Sequence, residues 1–278
     1  MEIVMSFLVK NFALVCCIGM LCLQTENVSA ATLTEYSSGH ADIGLAYEDG
    51  ELNLHYHFGG GAVLNGVALA AEAEFNPTND GVYVRVPNTS SASFTSVPSG
   101  LEFTGMNPDG TPAIDFWVLP QVTTAGVPFL GFGTGELNSA DWDNNLSFRL
   151  TDVQFTPQGD GVAGQGYFSV YQPGSTGGFD VNMDSLNGFD SSDEVEMAPN
   201  GHDHFVWGFT EQGLYEVTLE ASGTHINDGF KSDTETFLFA VGNSTAVTAV
   251  PEPGSLAVLA SLGIAGMLVR RRRRPQLK

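Results

Sequence analysis

The sequence predicts an all-β fold in which two sheets stack as a sandwich, preceded by an export signal and followed by a membrane helix. Three observations carry that reading. Between Ala31 and Ala249 no long run repeats its apolar residues with helical period; short runs alternate apolar and polar residues with period two; and clusters of Gly, Pro, Asn and Asp separate those runs.

Residues 1–30 come first and read as a signal peptide, expected to form a helix. Lys10 precedes the apolar run from Phe12 to Leu23, and Val28-Ser29-Ala30 offers small residues for cleavage. Glu2 offsets the single positive charge, and an uncleaved N-terminal anchor is the alternative reading. Cys16, Cys17 and Cys22 all fall in this segment. The exported body therefore has no disulfide, no thiolate metal ligand and no cysteine nucleophile, whatever the redox state of its compartment.

The body, residues 31–243, is expected to be one β-sandwich ectodomain of immunoglobulin-like or jelly-roll type. Strands are read at Val82-Tyr83-Val84-Arg85-Val86, Ile114-Asp115-Phe116-Trp117-Val118, Leu146-Ser147-Phe148-Arg149-Leu150 and Gly166-Tyr167-Phe168-Ser169-Val170-Tyr171. Asn107-Pro108-Asp109-Gly110 and Pro173 to Gly178 read as turns. Ala62 to Phe75 is compatible with one short helix, against which Gly66 and its β-branched neighbours argue. Gly213 to Ala221 looks like a late strand of an immunoglobulin-like sandwich, with Tyr215 placed as in a tyrosine corner, where the phenol satisfies backbone groups at the sheet edge. Of the 32 acidic residues only Glu2, Glu26 and Glu252 lie outside positions 31–249. That leaves 29 against the cations Arg85, Arg149 and Lys231, a net charge near −26. Such a surface repels nucleic acid and anionic lipid and attracts cations. Nucleic-acid binding is excluded.

After the body come a linker, 244–253, a transmembrane helix, 254–269, and a basic tail, 270–278. The apolar stretch Leu256 to Val269 is short for a bilayer, but flanking arginines extend its reach. Arg270, Arg271, Arg272, Arg273 and Arg274 set the cytoplasmic side and leave the body outside. Pro251-Glu252-Pro253, a short apolar helix and an arginine cluster, over residues 250–274, resemble the PEP-CTERM sorting domain, also named the ice-binding protein C-terminal domain. The resemblance implies recognition by an exosortase, association with the membrane through the helix, and delivery to the cell surface or exopolysaccharide matrix of a Gram-negative-type bacterium.

The six histidines carry the candidate chemistry. They fall in four contexts: Gly39-His40-Ala41-Asp42, His55-Tyr56-His57, His202-Asp203-His204 and Gly223-Thr224-His225. His-x-His on a strand puts both imidazoles on one face. Leu54, Tyr56 and Phe58 take the parity opposite to His55 and His57. Ile43, Leu45 and Tyr47 oppose His40 and Asp42, while Phe205, Trp207 and Phe209 oppose His202 and His204. Imidazoles gathered off the apolar side suit zinc, with copper as the alternative. His55, His57, His202 and His204 are the expected ligands; His40, Asp42 and His225 either complete a second site or orient the first through ring nitrogens. The bland reading is a set of solvated or carbonyl-satisfied histidines. The acidic runs Asp141 to Asn145 and Asp190 to Glu196 match no calcium loop and read as solvated turns.

Two body segments carry a second resemblance. Gly39-His40-Ala41-Asp42-Ile43-Gly44 followed by Asp49-Gly50-Glu51-Leu52, and His202-x-His204-x-x-Trp207-x-Phe209-Thr210-x-x-Gly213-x-Tyr215, are similar to choice-of-anchor surface domains, most of all a PEP-CTERM family under the zinc-uptake repressor. Gln212 stands where that family is expected to have proline. The resemblance implies a protein made when zinc is scarce, acting beside metal transporters. The expected function is surface metal binding in zinc acquisition or buffering; the alternative is a structural or adhesive matrix protein. No His-Glu-x-x-His helix, Gly-x-Ser-x-Gly elbow or phosphate loop occurs, and an enzyme is not expected.

Overall fold

In the computed structural model the described residues are 33–93, 115–158, 166–186 and 188–243. The segments read as signal peptide, linker, transmembrane helix and basic tail lie outside them. Among the described residues no helix is long and apolar enough to cross a membrane, and no α-helix occurs.

The first third of the body supplies β1 (Thr34–Glu48), β2 (Glu51–Phe58), β3 (Val63–Leu64), β4 (Val67–Ala68), β5 (Ala73–Phe75), β6 (Val82–Val86) and β7 (Ser91–Ser93). The middle supplies β8 (Asp115–Leu119), β9 (Pro128–Gly133), β10 (Leu146–Pro157), β11 (Phe168–Pro173) and β12 (Phe179–Asp184). The last part supplies β13 (Glu194–Met197), β14 (His202–His204), β15 (Val206–Phe209), β16 (Gly213–His225) and β17 (Gly229–Val241).

One path of strands runs β13-β10-β16-β17-β6-β1-β2-β5, and β9 and β14 join it beyond β1. It bends at β1, whose first residues pair in parallel with β6 and whose later residues pair with β2 and, in parallel, with β9. Gly39 sits at the hand-over with φ +91°, and a Cβ there would lie 2.7 Å from Ala62 Cα, so only glycine fits. A second sheet, β12-β11-β15-β8-β7, is antiparallel throughout. Aromatic contacts show the stacking. Tyr56 of β2 meets Phe237 of β17 at 5.0 Å between ring centres, and Trp207 and Phe209 of β15 meet Phe239 at 5.8 and 5.2 Å. The long strands β16 and β17 are thus covered on one side both by the β1–β2 region and by the second sheet, an arrangement consistent with an open sandwich around one core.

The expected strands at 82–86 and 146–150 appear with alternating burial, whereas the one expected at 166–171 begins at Phe168 and is buried on both faces through Tyr171, and Ile114 of the run at 114–118 lies outside the described residues. In β16 the residues Tyr215, Val217, Leu219 and Ala221 are buried while their neighbours alternate outward. The Tyr215 hydroxyl donates to Glu211 O at 3.1 Å and accepts from Glu211 N at 3.0 Å, which is the backbone service expected of a tyrosine corner. Two readings are corrected. Residues 62–75 form the short strands β3, β4 and β5, because Asn65 (φ +49°) and Gly66 (φ +76°) make a two-residue hairpin turn that breaks any helix. Within the acidic run 190–196, Asp193 is buried rather than solvated; its carboxylate accepts from the Asp184 and Asp190 amides at 2.9 Å each.

Tyr215→Phe is expected to lower stability by about 1–3 kcal/mol, since it leaves both backbone groups of Glu211 without their partner. Urea unfolding checks this: the midpoint falls with the slope unchanged, whereas an unmoved midpoint would show the corner to be ornamental.

Candidate metal centres

Five of the six histidines lie on one face of the strands β14-β9-β1-β2-β5. The opposite face is the core: Ala41, Ile43, Leu45, Leu54, Tyr56, Phe58, Leu130 and Phe132 are all buried there. Period two then sends His40, Asp42, Gly44, His55, His57, Gly131 and Gly133 to the other side. Strand register sorts them into rows. His204 pairs with Gly131, Gly131 with Asp42, Asp42 with His57, and His57 with Glu74; two residues along each strand, His202 pairs with Gly133, Gly133 with Gly44, and Gly44 with His55.

The first group is His40, Asp42, His202 and His204, each offering a ligand atom within 4.8 Å of the others. His40 Nε2 and His202 Nε2 are 3.2 Å apart; Asp42 Oδ1 lies 3.2 Å from His202 Nε2 and Asp42 Oδ2 lies 3.6 Å from His40 Nε2. Four ligands about 2.0–2.1 Å from a tetrahedral zinc ion are separated from one another by about 3.3 Å. The three imidazole rings stand 4.7–5.3 Å apart, centre to centre.

His204 is the most telling member. It is 9% exposed and stacks on Phe129 at 3.6 Å with 7° between the rings, yet neither ring nitrogen has a hydrogen-bond partner. The Leu130 carbonyl, which accepts from the Trp207 indole at 3.0 Å, lies near the ring and acts weakly in favour of its protonated form. Burial, then the neighbouring His202 and His40, push its pKa down to about 4, so the ring is neutral at pH 7 with a free lone pair. Asp42 Oδ1 is likewise buried without an aligned donor. Burial pushes the Asp42 carboxyl up, against the pull of His40, His202 and His57. Buried polar atoms without well-aligned partners are costly, and a cation would satisfy the His204 ring and the Asp42 carboxylate at once.

Glycines make the floor. A Cβ on Gly131 would sit 2.5 Å from Asp42 Oδ1 and 2.7 Å from Asp203 O; one on Gly44 would sit 2.9 Å from His55 Nε2; one on Gly59 would sit 3.0 Å from His40 Nδ1. The Asp42 carboxylate and the His55 ring occupy the space that side chains at Gly131 and Gly44 would need.

The second group is His55, His57, Glu74 and Glu136. One oxygen of Glu136 lies 3.1 Å from His55 Nε2 and 2.9 Å from His57 Nδ1, and Glu72 approaches His57 Nε2 at 3.9 Å. His55 is 3% exposed, and its Nδ1 lies 3.2 Å from the Asn53 carbonyl; that acceptor places the proton on Nδ1 and leaves Nε2 to face the group. Burial is the largest influence on His55 and works against its protonation, but the hydrogen bond to Glu136, the charge of Glu136, the Asn53 carbonyl and Glu74 together outweigh it and the pKa rises; the contact with His55 holds Glu136 below its ordinary value.

The structure therefore divides the expected ligand set. His202 and His204 join His40 and Asp42, and His55 and His57 form their own group. His225 joins neither: it ends β16, stacks on Tyr47 at 4.6 Å, and its Nδ1 accepts from the Asp228 amide at 3.2 Å. Glu72, Glu74 and Glu136 were not anticipated. The signals were there, in the alternating Ala71-Glu72-Ala73-Glu74 and the glycine-flanked Gly133-Thr134-Gly135-Glu136. The strand β9 was not anticipated either, because two glycines dilute its apolar pattern. Pro251, Glu252, Pro253 and Arg270 to Arg274 lie outside the described residues.

Residues 249–274 match the model of the PEP-CTERM protein-sorting motif. The motif indicates an exported, surface-sorted protein of Gram-negative bacteria and implies recognition by an exosortase and association with the membrane. No curated protein and no solved structure matches the chain significantly.

Two outcomes follow, one for metal affinity and one for the metal-free protein. Gly131→Ala should force Asp42 or β14 out of place and weaken metal binding at least tenfold, measured by competition with a zinc indicator; unchanged affinity would mean that the glycine floor is irrelevant. Because His204 titrates near 4 when folded and near 6.5 when unfolded, the unfolded chain binds the extra proton between those values, and stability falls as pH is lowered through that window. His204→Gln should remove on the order of 2–3 kcal/mol of this pH dependence, seen as divergent denaturation curves for the two proteins with chelator present. Parallel curves would contradict it.

Proposed function

We propose that the exported domain captures and holds zinc at His40, Asp42, His202 and His204, in zinc acquisition or buffering by a zinc-limited cell. The observation that carries this reading is His204: a buried, neutral imidazole with both ring nitrogens unpartnered, set against two further imidazoles and a carboxylate. A histidine kept for packing alone would be expected to satisfy at least one nitrogen.

The donor set, three nitrogens and one oxygen, suits zinc and also copper, which would bind more tightly in a test tube. Zinc is the ion proposed, on the resemblance of the histidine-bearing segments to the zinc-regulated surface family. Four protein donors complete a tetrahedron and leave no position for a reacting water, which favours holding the ion over hydrolysis. The net charge near −26 gathers cations at the surface before any specific contact forms. Delivery to a transporter or retention in the exopolysaccharide matrix are the two fates compatible with surface sorting.

Equilibrium dialysis of the full chain with zinc tests the proposal. The wild type retains zinc; Asp42→Asn and His202→Ala each bind at least tenfold more weakly. Zinc at 100 times its dissociation constant raises the unfolding free energy by about 2.7 kcal/mol. A protein that binds no zinc and shows no thermal shift is the structural or adhesive alternative.

A further inference from the structure

We infer that the face carries a second, separate divalent-cation site, built by His55, His57 and Glu136 with Glu74 at its rim, which fills after the first. The inference rests on the metal-binding reading above and adds to it the number, chemistry and order of the sites.

The geometry favours a site over a set of side-chain ion pairs. A single Glu136 oxygen serves both imidazoles, at 3.1 and 2.9 Å, so three donor atoms already converge on one region. His55 is fixed through Nδ1 by the Asn53 carbonyl, which leaves Nε2 directed at the group, the arrangement usual for a metal-bound imidazole. Gly44 clears the space beneath that ring. Charge points the same way. Glu72, Glu74 and Glu136 surround two imidazoles, and the described cations Arg85, Arg149 and Lys231 pair with other carboxylates, so even two protonated rings leave a net negative charge that a dication would offset.

The two sites differ in kind. The first offers three nitrogens and one oxygen, with Asp42 and His204 buried and His202 exposed, while the second offers two nitrogens and carboxylate oxygens, with Glu74 and Glu136 both exposed. It is the harder and more open of the two, hence the weaker for zinc. They are neighbours, because Asp42 and His57 are directly paired across β1 and β2. An ion in the first site therefore repels an ion entering the second, which separates the two affinities further. Thr134 ties the halves mechanically. Its hydroxyl donates to Ala198 O at 2.7 Å and accepts from Gly201 N at 2.9 Å, pinning the loop that carries Glu136 to the turn that leads into His202.

The test is zinc stoichiometry of the full chain, by elemental analysis after dialysis against a series of free-zinc concentrations, with far-ultraviolet circular dichroism to verify folding. The wild type should bind two zinc ions in two steps. Glu136→Gln, which preserves shape, and His57→Ala should each weaken the second step at least tenfold and leave the first within about twofold; His202→Ala should weaken the first step at least tenfold and leave the other site as tight as in the wild type or tighter, since its neighbour's charge is gone. A wild type saturating at one ion, lost in His202→Ala and unaffected in Glu136→Gln, overturns the second site and leaves the first standing. One ion lost only in Glu136→Gln overturns the first site and keeps this one. Two ions still bound with unchanged steps in Glu136→Gln overturns the assignment, and no ion bound in the wild type removes both readings.

Discussion

Everything at the candidate centres depends on one backbone alignment, the parallel pairing of β1 with β9 and the antiparallel pairing of β9 with β14. That ladder sets Asp42 beside Gly131 and Gly131 beside His204, so a residue near the start of the body and one near its end face each other across a strand without a side chain. A slip of one residue in either ladder would turn the histidines into the core and the leucines outward, at a cost of several buried apolar side chains. Core packing therefore fixes the site register. Ile43, Leu130 and Phe132 hold the alignment from below, and the Trp207 indole bonded to Leu130 O clamps β9 to the second sheet.

From this alignment the electrostatics follow. The three cations of the body are all set against carboxylates away from the histidines: Arg149 against Glu220, Arg85 against Glu35, and Lys231 against Glu51. Among the described residues no Lys or Arg is therefore paired with the carboxylates of either histidine group. Among the described residues, the imidazoles are the groups there that can balance the acidic side chains. His204 is kept neutral by burial, whereas His55 is drawn toward its protonated form by Glu136. One face thus presents a lone-pair-rich centre beside a carboxylate-rich one.

Much of this was legible in the residues, and what was not has physical reasons. Parity in His55-Tyr56-His57 and His202-Asp203-His204 places the imidazoles off the core side, because strand geometry is local. Which histidines meet is not local. It depends on β9, a strand whose glycines hide its pattern, and so the partner of His202 is His40 rather than His55. Glu136 comes from a loop, where no periodicity announces direction, and the short strands over 62–75 turn on the backbone of Asn65 and Gly66. His225 shows the opposite case. It stands alone beyond Gly223, where the sequence assigns it no side, and the hairpin it closes gives it ordinary structural partners.

Anomalous diffraction at the zinc absorption edge, from crystals of the zinc-loaded protein, measures the central claim most directly. The account predicts a peak enclosed by His40, Asp42, His202 and His204, with nitrogen and oxygen ligands at about 2.0–2.1 Å. A zinc-loaded crystal with no density among those four side chains, or with the ion held only by surface carboxylates, would contradict it.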